Sequence, residues 1–153
     1  MRHLELKIPP LIQLITIGSL MFVASWFLPK VDSGYFLQMI LAAIVMIIGS
    51  YFCVSGVIEF RRHKTTVDPR YPDNVTELVD TGIYRISRNP MYVGFALLLL
   101  SIALFLRSPI LISGMVVFVA YMNRYQIIHE ESYLSKAFGP KYDEYKHKVR
   151  RWL

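Results

Sequence analysis

Residues 36–58 read FLQMILAAIVMIIGSYFCVSGVI, a run without one charged side chain. A helix that crosses a bilayer needs about 20 mostly apolar residues, and this stretch meets that length. Three further apolar runs flank it, at 10–28, 91–106 and 109–128, and only Arg124, near the end of the last, interrupts them. The run at 91–106 is short and is expected to borrow interfacial residues at one end. With 54% hydrophobic residues in a chain of 153, a soluble fold would have to bury all four runs in one small domain. The expected fold class is therefore all-α: a single membrane-embedded domain, 1–153, with four transmembrane helices, a long cytoplasmic loop and a C-terminal amphipathic helix at the interface.

Charge placement sets the expected orientation. Lys30 and Arg107 are the basic residues of the two short connections, whereas Arg61, Arg62, Lys64, Arg70, Arg85 and Arg88 fill the long central segment and Lys136, Lys141, Lys146, Lys148, Arg150 and Arg151 the tail. The excess of Lys and Arg on the inner side of membrane proteins places both termini and the long loop in the cytoplasm. A net charge of +6 is met by anionic lipid headgroups and requires no nucleic acid. The first apolar run exceeds the 7–15 residues of a signal-peptide core and lacks a small-x-small cleavage site, so a retained helix is expected. Cys53 is the only cysteine, which excludes an internal disulfide and a cysteine-based metal site. No metal is expected. Cys53 shares a helix face with Gly49 and Gly56, a face that lets another helix come close.

The segment 63–89 is the one long polar stretch. Pro69 and Pro72 break any helix there, and Asp80-Thr81-Gly82 reads as a turn. Its apolar residues, among them Leu78, Val79, Ile83 and Tyr84, argue against a wholly solvated loop. Two polar clusters then stand out: Arg88-Asn89-Pro90-Met91-Tyr92-Val93-Gly94 at the start of the third run, and Glu130-Glu131 just beyond the fourth. Arg107-Ser108-Pro109 closes a tight hairpin between those runs, which brings both clusters to one side of a bilayer. Polar and charged groups at the edge of spans persist mainly where they bind something or pair with one another. Asn123, Gln126 and Glu130 share one helix face, and Arg124 and Glu131 lie on the adjacent stripe. In the tail, Tyr142, Tyr145, Val149 and Trp152 recur at helical steps among lysines and arginines, an amphipathic pattern suited to headgroups. It serves equally as a plain anchor or as a roof over the site. Singly, Arg85 and Arg88 read as positive-inside residues, and Glu130-Glu131 as a solvated helix end.

Taken in order, Asp80-Thr81-Gly82-Ile83-Tyr84-Arg85, the 88–94 cluster, and Glu130-Glu131 with Leu134, Phe138-Gly139 and Tyr142 resemble the isoprenylcysteine carboxyl methyltransferase and phospholipid methyltransferase family, in a short bacterial-type form. The resemblance covers roughly 76–145, the expected cofactor region. It implies an integral membrane methyltransferase of the bacterial cytoplasmic membrane that uses S-adenosylmethionine without a Rossmann domain. By resemblance the cofactor is lined by Thr76, Glu77, Leu78, Val79, Tyr84, Arg88, Asn89, Pro90, Met91, Tyr92, Gly94, Glu130 and Glu131, with Arg88, Asn89 and Glu130 nearest the chemistry. Asn89 stands where the family pattern has histidine, so proton transfer at that position is not expected. Gln126 stands where the prenylcysteine enzymes have a substrate-binding arginine, with Arg124 nearby. That departure points away from a prenylated cysteine, towards another lipophilic or amphiphilic small-molecule acceptor contacted by Arg124 and Gln126.

The residue types suit that cofactor. Arg88 can pair with its carboxylate, Glu130 can accept from its ammonium or ribose hydroxyls, and Tyr84 or Tyr92 can face the adenine or the sulfonium. Methyl transfer from a sulfonium is an in-line displacement, so alignment and water exclusion carry most of the catalysis. His129 is the candidate base if the acceptor is protonated. Two other functions fit the same pattern: an NADPH-dependent membrane reductase of the sterol-reductase type, and a non-catalytic scaffold or lipid-binding protein.

Overall fold

The computed structural model describes residues 8–31, 34–63 and 78–153; Thr76 and Glu77 lie outside the described residues. Helix α1 runs Pro10–Ala24 and α2 Tyr35–Arg62, followed by a 3-10 turn at Gly82–Arg85 and α3 at Pro90–Phe105. A continuous helical stretch from Pro109 to Phe138 comprises a 3-10 turn (Pro109–Leu111), α4 (Ile112–Tyr121), a π-helical turn (Met122–Ile127) and α5 (Ile128–Phe138). Helix α6, Pro140–Lys148, follows after Gly139. No strand occurs among the described residues.

Two of these stretches, Tyr35–Arg62 and Pro109–Phe138, are long and apolar enough to cross a membrane. The other two apolar helices, Pro10–Ala24 and Pro90–Phe105, are shorter, and α1 also stops short of the run that encodes it. Pro10 and Pro90 each occupy a first-turn position, where a fixed φ and a missing N–H cost nothing. At the far end of α1, Ser25 Oγ donates to the Phe22 carbonyl at 2.6 Å and the chain turns. At 1.5 Å per residue, α1 and α3 reach only about 22–24 Å. Large apolar side chains stay exposed along α1, α2 and α4, including Leu20, Phe36, Ile47, Val54 and Val117. So broad an apolar surface is costly in water and natural in lipid.

Helix α3 is the centre of the assembly, packed against α2 on one side and α1 and α4 on the other. The α2–α3 contact is close because both helices present glycine there. A Cβ at Gly49 would lie 3.0 Å from the Gly94 carbonyl oxygen, and one at Gly94 would lie 2.7 Å from that of Gly49 and collide with Cys53 Sγ. The face of Gly49, Cys53 and Gly56 is thus the one on which α3 lies. Within this apolar contact Ser101 Oγ donates to the Ala42 carbonyl at 2.8 Å, the kind of interhelical hydrogen bond that has little competition from water. Leu99, Phe118, Met122 and Ile127 form the fully buried core between α3 and the α4–α5 stretch.

The two short connections meet at one end of the bundle. Val31 N–H donates to the Arg107 carbonyl at 2.8 Å, and the Arg107 guanidinium lies 5.2 Å from the Tyr35 ring centroid. Everything polar that follows lies at the other end. There α6 differs from the expected interfacial helix. Its aromatic stripe faces inward: Tyr142, Tyr145 and Val149 are buried with Leu78, against Leu134 and Phe138. An apolar stripe is covered by whatever hydrophobic surface lies nearest, and here that is the protein's own α5 and the segment before the 3-10 turn.

Candidate functional site

The start of α3 and the end of the Pro109–Phe138 stretch converge. Tyr92, in the first turn of α3, donates its hydroxyl to Glu130 Oε1 at 2.7 Å. Gln126 Nε2 donates to the same oxygen at 2.6 Å. Two neutral donors therefore fix one carboxylate. Gln126 itself is buried, and its amide nitrogen donates to Glu130.

The neighbouring acid does different work. Glu131 takes a two-pronged contact from Arg151, Nε to Oε1 at 3.0 Å and Nη2 to Oε2 at 2.6 Å, while Arg88 Nη2 approaches Oε1 at 3.2 Å. The Arg88 side chain is only 11% exposed. Its Nε and Nη1 are buried and have no hydrogen-bond partner among the described residues. A buried guanidinium with unmet donors is costly, and it is the feature of this region that most invites an anionic ligand. The two clusters far apart in sequence thus lie against each other, Arg88 on Glu131 and Tyr92 on Glu130.

The C-terminal residues complete the enclosure. Arg88 N–H donates to the Arg150 carbonyl at 3.0 Å. Asn89 Nδ2 donates to the Arg151 carbonyl at 2.9 Å, and Ser87 Oγ to the same oxygen at 3.4 Å. Trp152 Nε1 donates to Asn123 Oδ1 at 3.1 Å. The Asn89 amide is therefore spent on holding the tail, at the position that also precedes the first turn of α3.

Other residues expected to line a cofactor take packing roles on this side. Leu78 and Val79 are buried in two clusters, Leu78 with the α6 aromatics and Val79 with Ile83, Tyr84, Phe52 and Phe60. Tyr84 packs edge-on to Phe60, with ring centroids 5.3 Å apart, and its carbonyl accepts from the Tyr145 hydroxyl at 2.7 Å. Burial pushes the hydroxyls of Tyr84 and Tyr145 well above the usual tyrosine range. Tyr142 rises to about 12, by burial first and the Glu131 charge second, with Arg88 offsetting part of the rise. The Arg151 guanidinium is raised as well, chiefly by its hydrogen bonds to Glu131. Pro90 and Gly94 are buried in the helix contacts, and Met91 packs over Gly56. Arg124 is exposed on the π-turn, and His129 is half-buried beside Glu130.

A second acidic centre was not evident in the sequence. Glu59, at the end of α2 and 8% exposed, accepts from Thr81 Oγ1 at 2.5 Å, and His63 Nε2 lies 2.9 Å from that hydroxyl. Because the Thr81 proton goes to Glu59, the His63 ring donates. Gly82, at φ +54°, abuts the same carboxylate: a Cβ there would meet Glu59 Oε2 at 2.6 Å. The Asp80-Thr81-Gly82 turn is thereby pinned to α2. The only sequence signal was an acid among basic residues at a helix end.

With that geometry in hand, comparison with known proteins is informative. The family model described as phospholipid methyltransferase matches residues 37–141. Among individual relatives, an uncharacterized protein of Haemophilus influenzae is 43% identical over 63 residues, 41% of this chain and all of that protein. A probable protein-S-isoprenylcysteine O-methyltransferase of Oryza sativa subsp. indica is 28% identical over 128 residues, 82% of this chain and 65% of the rice protein. The protein-S-isoprenylcysteine O-methyltransferase of Saccharomyces cerevisiae is 37% identical over 75 residues, 47% of this chain and 30% of the yeast protein. No solved structure matches the chain. The matched region takes in α2, α3, the helical hairpin and both acidic residues on α5, so this chain belongs to the phospholipid methyltransferase family, a group of membrane methyltransferases.

Proposed function

We propose that this protein is an integral membrane methyltransferase that uses S-adenosylmethionine and acts on a lipophilic or amphiphilic small molecule at the cytoplasmic face of a bacterial inner membrane. Four helical segments cross or enter the bilayer in this reading, with both termini and the polar site on the inner side. The observation that carries it is the meeting of Arg88 with Glu131 and of Tyr92 with Glu130, across the mouth of the α3–α4 hairpin. Family membership makes the reaction class methyl transfer.

The residues present suit this donor. Two buried nitrogens of Arg88 without a partner among the described residues fit a carboxylate, which offers two acceptor oxygens to a guanidinium. Glu130, oriented by Tyr92 and Gln126, fits an ammonium or a ribose diol. When bound, S-adenosylmethionine supplies a methyl group on a positively charged sulfur, open to displacement by a lone pair of the acceptor. Arg88 and Glu130 orient the donor, and the 149–152 segment keeps water from it. Alignment of this kind accounts for much of the rate of a bimolecular displacement. An acceptor soluble in lipid would reach the site sideways between helices, since broad apolar surfaces surround the bundle.

Calorimetry on the detergent-solubilised protein tests the donor: S-adenosylmethionine binds and NADPH does not. Binding of NADPH alone would replace this reading with a reductase. Incubation with methyl-labelled donor and a membrane extract, followed by identification of the labelled product, names the acceptor.

A further inference from the structure

We propose that Arg151 is a positioning residue for the ligand carboxylate: by taking up Glu131, it leaves Arg88 with positive charge to spend on the site. This inference rests on the reading of Arg88 as the group that meets the donor's carboxylate. Its own observation is the composition of the cluster, in which two guanidinium groups surround one carboxylate. Were Arg88 and Glu131 alone, they would form a closed neutral pair, and an incoming carboxylate would meet Glu131 as a repelling neighbour. Arg151 holds both oxygens of Glu131, at 3.0 and 2.6 Å, whereas Arg88 approaches Oε1 at 3.2 Å. The better geometry belongs to Arg151, while the buried donors without a partner among the described residues belong to Arg88.

Arg151 is itself fixed at both ends. Its carbonyl receives the Asn89 amide and the Ser87 hydroxyl, and the next residue, Trp152, reaches Asn123 and packs on the main core. The guanidinium therefore approaches Glu131 from a braced backbone rather than from a loose tail. Glu130 does not compete for either arginine, because Tyr92 and Gln126 hold it.

A merely structural Arg151 and a charge-balancing Arg151 differ in what rescues the loss. In the full-length protein in detergent, Arg151→Gln should weaken S-adenosylmethionine binding by about tenfold, the scale of one charge-assisted contact. It should leave binding of decarboxylated S-adenosylmethionine unchanged, because that ligand has nothing for Arg88 to grip. The double variant Glu131→Gln/Arg151→Gln restores one net positive charge at Arg88 and should regain most of the lost affinity. Equal losses for both ligands, or a double variant weaker than Arg151→Gln, would overturn the inference and leave the donor assignment standing. A wild-type protein that ignores S-adenosylmethionine would overturn both. If Arg151→Gln does not fold, Arg151→Lys decides: charge balance predicts affinity close to wild type although the two-pronged contact is gone, and a full loss refutes it.

Discussion

Replacing Gly94 by alanine tests the close contact between α2 and α3. A Cβ on Gly94 would collide with Cys53 Sγ and lie 2.7 Å from the Gly49 carbonyl oxygen and 3.0 Å from the Cys53 backbone nitrogen. Two of those three neighbours are main-chain atoms of α2, so no rotamer change relieves the overlap. Helices α2 and α3 must separate by a few tenths of an ångström or more, and the buried Ser101–Ala42 hydrogen bond at 2.8 Å sits on the same interface. Overpacking of a well-packed contact costs about 1–3 kcal/mol, and roughly 2–4 °C of Tm per kcal/mol applies at this chain length. Gly114→Ala is the control. Its Cβ would meet Met21 Sδ at 2.7 Å and Cγ at 2.9 Å, and an unbranched thioether can swing aside, so a loss under about 1 kcal/mol is expected. Thermal unfolding of both variants in the same detergent, followed by intrinsic fluorescence, gives the comparison. A Gly94→Ala protein that melts with the wild type would show that α2 and α3 do not meet through these glycines.

Arg88→Ala and Glu130→Ala should each weaken S-adenosylmethionine binding by about tenfold to a hundredfold, from the roughly 1.5–3 kcal/mol of a charge-assisted contact. Calorimetry checks this, and wild-type affinity in both variants would mean the donor sits elsewhere. Tyr145→Phe strands the buried Tyr84 carbonyl, which now accepts a 2.7 Å hydrogen bond; a loss of about 1–3 kcal/mol in denaturant unfolding is expected. Stability should also fall at high pH. Tyr142 titrates near 12 in the folded protein against an ordinary value of 10. The folded state thus keeps a proton that the unfolded state releases, and its contribution is complete below pH 10 and lost as pH rises towards 12. A Tm that stays flat from pH 9 to 12 would contradict this.

The helical class and the meeting of the two polar clusters were legible because both rest on short-range pattern. Charge-free runs mark the helices, and Pro10 and Pro90 mark where two of them begin. Gly49, Cys53 and Gly56 at helical spacing foretold a face that another helix could approach. The tight Arg107-Ser108-Pro109 connection was enough to infer that the 88–94 cluster and Glu130-Glu131 would meet. What the sequence withheld was partner choice. Arg85, Arg88, Arg150 and Arg151 look alike as basic residues beside spans, yet only Arg88 and Arg151 find Glu131. The stripe of Tyr142, Tyr145 and Val149 was visible, but a helical stripe does not say whether lipid or protein covers it. Likewise, nothing near Glu59 announces Thr81, 22 positions away.

The π-turn at Met122–Ile127 explains why adjacent glutamates serve different partners. Hydrogen bonding at i→i+5 accommodates one residue more than an α-helical turn, and such insertions occur often at functional sites. One residue inserted in a helix rotates all that follows by about 100°, since an α-helical turn takes 3.6 residues. Run as an uninterrupted α-helix from Ile112, the stretch would present its Glu130-Glu131 pair to α3 turned by that angle. In the actual register Glu130 falls on Tyr92 and on Gln126 one turn back, while Glu131 falls on the two arginines. Asn123, inside the turn, is left facing Trp152. Deleting one residue within 122–127 would restore a regular helix and should swing both acids away from their partners. Such a variant is expected to keep its helical content by circular dichroism and lose donor binding outright, a larger loss than either single alanine change. Retained binding would show that the register of α5 does not set the site.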